Sequence, residues 1–255
     1  MDHIFFDAEP AFDWLLYDYS GQVTASPMQV KHYISNKSEC KGDVMQRIYK
    51  DLQSTDLAYI GFLDDDQIIS VSDLNKLLFI AESAQLDVFQ PSLYHDSYYN
   101  LRQFVHKPGY MIQDTWWVEI MSPFYSKAVF QAAGPHFIHS ISGTGLDVYL
   151  IPTIQRLIGK TKTAVVHAVQ LKHARPIRTG HRTFSNGKTN LEEIRYVQSV
   201  CRKMVEEKPD LFSADFHRQV LNRRYINGVP LAYKIQRIPR MLRNLYKLIV
   251  DASYR

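Results

Sequence analysis

Cysteine is scarce in this 255-residue chain. Cys40 and Cys201 stand far apart and match no metal-ligand or redox spacing, which excludes a disulfide scaffold and reads as reduced thiols of an intracellular protein. No apolar run approaches the ~20 residues of a membrane span. The Met1-Asp2-His3 start lacks the basic and apolar regions of a signal peptide, so a cytoplasmic location is expected. Neither a Walker sequence nor a Gly-x-Ser-x-Gly elbow occurs, which removes the P-loop and serine-hydrolase readings. What is present is 45% hydrophobic and 13% aromatic residues, enough to bury a core of domain size.

The formal charge of +4 conceals two unlike halves. Residues 1–147 hold 19 of the 26 Asp and Glu, whereas 148–255 hold 21 of the 30 Lys and Arg. Each half therefore faces a different kind of partner.

Helix and strand signals alternate, which predicts an α/β fold with a mostly parallel, Rossmann-like central sheet flanked by helices and followed by a helical C-terminal extension. Phe12 to Tyr17 reads as a strand ending in the turn Asp18-Tyr19-Ser20-Gly21. Val44, Ile48 and Leu52 predict a helix over 42–52. Leu57 to Leu63 reads as a strand buried on both faces, as in a parallel sheet. A helix from Ser72 to about Ala84, a strand over 86–89, a polar surface loop over 92–115 and a strand over 116–121 follow. Helices over 125–133 and 146–158 precede the last strand, 163–171. The expected division is a catalytic unit over 1–178 and, over 179–255, a loop and basic helical extension packed on it.

Asp64-Asp65-Asp66 directly follows an apolar strand, where ligands bind in open α/β sheets. Three adjacent carboxylates repel one another, and Mg²⁺ or Mn²⁺ would relieve that repulsion while bridging to phosphates. A solvated acidic turn is the plainer reading. His167 and His173 are six residues apart, so a regular strand places both on one face, with His173 at its end as a candidate metal ligand. Lys172, Arg175 and Arg178 add phosphate-binding capacity there, or form an ordinary polar loop. Gly143-Thr144-Gly145-Leu146-Asp147 opens a helix, and Asp147 suits either a cap or a general base. Glu119, beside Trp116 and Trp117, suits a sugar-binding cleft or a core position equally. His136 and His139 lack a third ligand and read as structural.

The aspartate cluster after an apolar strand, together with a late strand ending in histidine, resembles nucleotide-sugar glycosyltransferases of the GT-A fold. More specifically, Ile60 to Asp66, Leu86 to Leu93, Val118 to Ser126, Gly145-Leu146-Asp147 and Val165 to His173 resemble, in order and spacing, a domain family of unknown function found in plants and bacteria. The likeness spans roughly 41–178. His167 stands where that family often has an acid, and the tail after about 190 has no counterpart.

The resemblance implies transfer of a sugar from a nucleotide-sugar donor to a glycan or lipid-linked acceptor, as in bacterial surface polysaccharide synthesis. On that reading Asp64, Asp66 and His173 hold the Mn²⁺ or Mg²⁺. Asp18, Lys41, Gly42, Asp65, Lys172 and Arg175 line the donor site, and Asp147 or Glu119 takes the acceptor proton. The competing readings are a catalytically silent sugar- or nucleotide-binding scaffold and a metal-dependent phosphohydrolase. The tail over 232–250 combines Lys234, Arg237, Arg240, Arg243 and Lys247 with apolar residues at helical spacing. Such a helix can lie on the inner face of an anionic membrane or pack on the domain. No nucleic-acid module is recognisable, so nucleic acid is not an expected partner.

Overall fold

The computed structural model describes residues 4–26, 30–176 and 182–222, and the backbone of 225–226 and 229–230. Arg178 and the basic stretch 232–250 lie outside the described residues.

The chain forms strands β1 (Ile4–Phe5), β2 (Leu15–Asp18) and β3 (His32–Ser35), helix α1 (Lys41–Leu52), strands β4 (Tyr59–Gly61) and β5 (Gln67–Ser70), and helix α2 (Val71–Ser83). Strands β6 (Val88–Leu93), β7 (Ile112–Asp114) and β8 (Phe124–Ser126) follow, then helices α3 (Lys127–Ala133) and α4 (Ile151–Leu157), strand β9 (Thr163–His173) and helix α5 (Asn190–Glu207). The main sheet runs β1-β5-β9-β6-β8-β4, with β7 also paired to β9. Among the described residues of this sheet, β1–β5 and β6–β9 are the parallel pairings and the other four are antiparallel. The fold is thus α/β with a mixed sheet, which corrects the mostly parallel expectation.

Pairing partners explain the difference. The β4 run lies at the sheet edge, antiparallel to β8, and of its three residues only Ile60 is buried. Gly61 is required there, because a Cβ at that position would fall 2.2 Å from the Phe124 ring that crosses it. Strand β2 leaves the main sheet altogether and pairs with β3 in a separate two-stranded sheet. The 116–121 segment is irregular instead of a strand, although Trp117, Val118 and Met121 are buried. The 92–115 region is more than a surface loop: it contains β7 and a turn that buries Leu101, Phe104 and Val105.

Helix starts follow local chemistry. Ser70 caps α2 by accepting from the Asp73 amide at 3.0 Å. Thr189 and Glu192 form a reciprocal capping box at α5. Helix α5 buries Ile194, Val197, Cys201 and Val205 in the same apolar cluster as Leu146, Tyr149 and Ile154, so the described part of the C-terminal extension shares the sheet's core. Among the described residues, no helix is long and apolar enough to cross a membrane.

Helix α1 begins hard against the 140–143 segment. The Gly42 amide donates to Ile141 O at 3.0 Å, and a Cβ on Gly42 would lie 1.9 Å from Ser140 O and 2.8 Å from Gly143 N. Both obstacles are backbone and cannot rotate away. Gly42→Ala is therefore expected to lower unfolding free energy by about 1–3 kcal/mol, as overpacking does. Urea denaturation of the two proteins measures it, and an unchanged midpoint would contradict the close approach.

Candidate functional site

The aspartates after β4 each meet a different nitrogen-bearing side chain. Lys41, at the start of α1, reaches Asp64. Arg175 reaches Asp65 at 3.2 Å, with both side chains more than half exposed. Asp66 meets His173 at the end of β9, Oδ2 to Nε2 at 3.1 Å, in the least exposed of the three pairs. The β5–β9 pairing brings them together, because Gln67 is in register with His173 and the Ala174 amide donates to Asp66 O at 2.9 Å.

The tautomer of His173 is set from the other side of its ring. Nδ1 lies 2.8 Å from the carbonyl of Tyr98, a group that only accepts, so Nδ1 carries a hydrogen. A neutral ring then presents the Nε2 lone pair to a carboxylate. A hydrogen shared between the two atoms, or a cation that takes both, would bridge them. A carbonyl on the far nitrogen is also how metal-binding histidines are commonly oriented. Oδ1 of Asp66 is buried without a hydrogen-bond partner.

The irregular segment after Trp117 joins this cluster to a second acidic pair. Met121 O accepts from Gln67 Nε2 at 2.7 Å and from Lys41 Nζ at 3.4 Å. One residue earlier, the Ile120 amide donates to Asp147 Oδ2 at 3.3 Å, and the Val148 amide donates to Oδ1 at 2.8 Å. Gly145 has φ +90°, a left-handed conformation that favours glycine, and turns the chain so that Asp147 faces the 119–120 segment. Gly143, at φ +84°, sits against Ile120 and Gly42.

Burial raises the Glu119 carboxyl to about 8, and the nearby Asp147 charge adds to the shift. Burial also raises Asp147, to about 6, against the lowering effect of its amide donors. Asp147 nevertheless keeps some surface open to solvent, unlike Glu119. At neutral pH the pair therefore holds one proton-bearing and one ionised acid, a division suited to proton transfer. The Tyr125 hydroxyl and Glu119 Oε2 are buried without partners beside them, and burial together with Asp147 pushes the Tyr125 phenol well up.

Glu193, in the first turn of α5, escaped sequence reasoning. Fully buried, its carboxylate accepts from the Ile141 amide at 2.8 Å, the Ser142 amide at 2.9 Å, Ser140 Oγ at 3.0 Å and Asn186 Nδ2 at 2.8 Å. It fixes the loop that leads into Gly143, Gly145 and Asp147. Nothing local betrays it, since Glu192-Glu193 reads as an ordinary acidic first turn. Nearby, Glu39 accepts from the Ser185 amide at 3.0 Å and from Arg182 at 3.2 Å, which ties 182–185 to the approach of α1.

Other candidates are placed elsewhere or engaged. Asp18 accepts from Ser20, Gln22, Val23 and Ser35, so its carboxylate is spent on its own turn in the β2–β3 sheet; those bonds hold it well below the usual carboxylate range. Lys172 pairs with Asp96 at 2.6 Å. His167 and His173 both fall on the buried positions of an alternation that runs from 167 to 173, but His167 lies in the stretch where the β6–β9 register shifts and His173 at the strand end, so their partners differ. His167 is buried, accepts from the Lys107 amide at 3.2 Å, faces Gln113 at 3.1 Å, and is lowered to about 4, mainly by burial. Trp117 packs edge-on against Phe104 in the core, while Trp116 lies under the Arg156 guanidinium.

Among the described residues, no group of three or more His, Cys, Asp or Glu is gathered as a metal site. Asp64 is held by Lys41, which leaves Asp66 and His173 as the two-ligand set. Mg²⁺ is typically held by one or two carboxylates with substrate phosphates and water completing the shell, and the orphaned Asp66 Oδ1 fits such a donor. No family model matches this chain, and no curated protein matches it. Among solved structures, the chain is similar to A197 from STIV, at 16% identity over 62% of this chain and 78% of that one, with a TM-score of 0.36.

Proposed function

We propose that this chain is a metal-dependent glycosyltransferase with a GT-A-like fold, moving a sugar from a nucleotide-sugar donor to a glycan or lipid-linked acceptor. The observation that carries the reading is the Asp66–His173 contact: a ring nitrogen and a carboxylate oxygen facing each other, with the ring oriented from behind by Tyr98 and the second oxygen unpaired. Mg²⁺ or Mn²⁺ there would neutralise charge on the leaving diphosphate. Lys41 and Arg175 stand at the same cluster and can exchange their aspartates for phosphate oxygens. Asp147, made more basic by its burial, is the acceptor of the hydroxyl proton, while Glu119 beside it stays protonated.

A second reading, a domain that binds nucleotide or sugar without turnover, draws on the same pairs. Lys41 and Arg175 already neutralise Asp64 and Asp65, so the cluster's repulsion is relieved without a metal.

Calorimetry with uridine and guanosine diphosphates, with and without Mn²⁺, tests the proposal. Binding is expected to require the metal and to weaken at least about tenfold in Asp66→Ala, the loss of a charged ligand being worth 1.4 kcal/mol or more. Metal-independent binding that Asp66→Ala leaves unchanged would overturn it. Binding without transfer or hydrolysis of any nucleotide sugar would establish the second reading.

A further inference from the structure

The segment that orients His173 also carries a row of outward-facing rings. Tyr94 and Tyr98 are each 43% exposed, and Tyr110 is 58% exposed. Such exposure on a loose loop would be unremarkable, but this turn is tied down at several points. The Tyr94 amide donates to Leu171 O at 3.0 Å and the Tyr98 amide to His173 O at 3.1 Å. Ser97 Oγ accepts from the His173 amide at 3.2 Å, and Asp96, the acid of the turn, is neutralised by Lys172. Neighbouring rings meet edge to face: His95 and His106 at 6.3 Å between centroids, and both His106, at 5.9 Å, and Tyr110, at 6.2 Å, against the buried His167.

We propose that Tyr94, His95, Tyr98, His106 and Tyr110 form a binding platform for a neutral polysaccharide chain, the acceptor of the transfer. The proposal rests on the glycosyltransferase reading and narrows its acceptor from glycan or lipid to glycan. Rings of tyrosine and histidine offer an apolar face for the C–H surface of a pyranose and a polar edge for its hydroxyls. A turn whose backbone is already held in place loses little entropy on binding. Asp96 and Lys172 cancel each other and Lys107 is turned to the neutral Gln113, so the rings are accompanied by a single unpaired lysine and not by the cluster of cations that an anionic lipid surface or a nucleic acid requires. The row begins at the residue whose carbonyl holds His173, so a chain lying along it has one end at the proposed donor site.

Affinity electrophoresis of the full chain through gels containing mannan, xyloglucan, dextran or mixed-linkage β-glucan tests this, with light scattering to give the oligomeric state. Retardation in at least one of the four is expected. The triple variant Tyr94→Ala, Tyr98→Ala, Tyr110→Ala should weaken it at least about tenfold, as removal of central aromatic anchors does. The corresponding triple phenylalanine variant, which keeps the ring faces and controls for folding, should remain retarded. Retardation in none of the gels, equal retardation of the alanine variant, or equal loss in both triple variants would overturn the platform. So would a wild-type dimer that the alanine variant converts to monomer, because the rings would then be an interface between copies. Failure of the platform leaves Asp66-dependent nucleotide binding intact, whereas failure of the transferase reading removes that binding and leaves retardation in place.

Discussion

Replacing Glu193 with alanine is expected to lower unfolding free energy by about 3–5 kcal/mol, the range for breaking a buried, fully engaged charge network. The carboxylate accepts from two backbone amides, two serine hydroxyls and Asn186. Alanine removes every acceptor at once. The serine hydroxyls can rotate toward other partners, but the Ile141 and Ser142 amides cannot, and each unsatisfied buried donor costs about 1–3 kcal/mol. Burial alone would raise the Glu193 carboxyl; the bonds from Ser142, Asn186 and Ile141 outweigh it, and the net shift is downward. A carboxyl depressed in the folded state contributes stability above its unfolded value near pH 4.3 and loses it as the pH falls further. The difference between wild type and Glu193→Gln should therefore narrow under acid. Urea titrations at pH 7 and pH 3.5 measure both effects. A loss below about 1 kcal/mol at pH 7 would show that the 140–145 loop holds its shape without Glu193.

How far the fold was legible depended on whether the deciding contact is local. Helix α1 is written in Val44, Ile48 and Leu52, and β9 in its run of apolar residues, because periodicity reports a buried face without naming its partner. Strand direction is a property of the partner. The Leu57 to Leu63 run has the composition of an interior parallel strand, yet Gly61 lets Phe124 cross it and β8 pairs antiparallel instead. For the same reason β2 could not be separated from the main sheet by composition.

The candidate site shows the same division. Asp66 and His173 are brought together by the β5–β9 register, whereas Asp64 and Asp65 meet Lys41 and Arg175 instead. Asp18 has the right residue type but is consumed by donors from four residues of its own turn and small sheet. Glu193 and the Tyr98 carbonyl act across 51 and 75 residues of sequence respectively. A backbone carbonyl leaves no trace in residue identity, and Glu193 is indistinguishable from its exposed neighbour Glu192 until the 140–142 loop is seen against it.

Glu119 should make the protein less stable as the pH rises, and Glu119→Gln should remove most of that dependence. Its carboxyl is raised to about 8 in the folded chain, first by burial and then by Asp147, against an unfolded value of about 4.3. Between those values the folded state binds more protons than the unfolded state. Stability is thus fully present below the unfolded value and is lost as the pH climbs toward the folded one. The loss is on the order of a few kcal/mol for a shift of this size. Asp147, raised to about 6, contributes a smaller loss of the same sign that is complete by about pH 6. Thermal melts from pH 5 to pH 9 should show the wild-type midpoint falling throughout, whereas Glu119→Gln falls only in the lower part and is flatter above pH 6. Parallel curves would mean that Glu119 is not the group being forced to ionise. The same measurement bears on chemistry, because glutamine cannot carry the charge that competes with Asp147. If Asp147 alone is ionised at neutral pH, Glu119→Gln should leave that charge state intact, and any activity should retain its neutral-pH optimum. Two carboxyls sharing one proton would instead lose the alkaline limb of the profile when Glu119 is replaced.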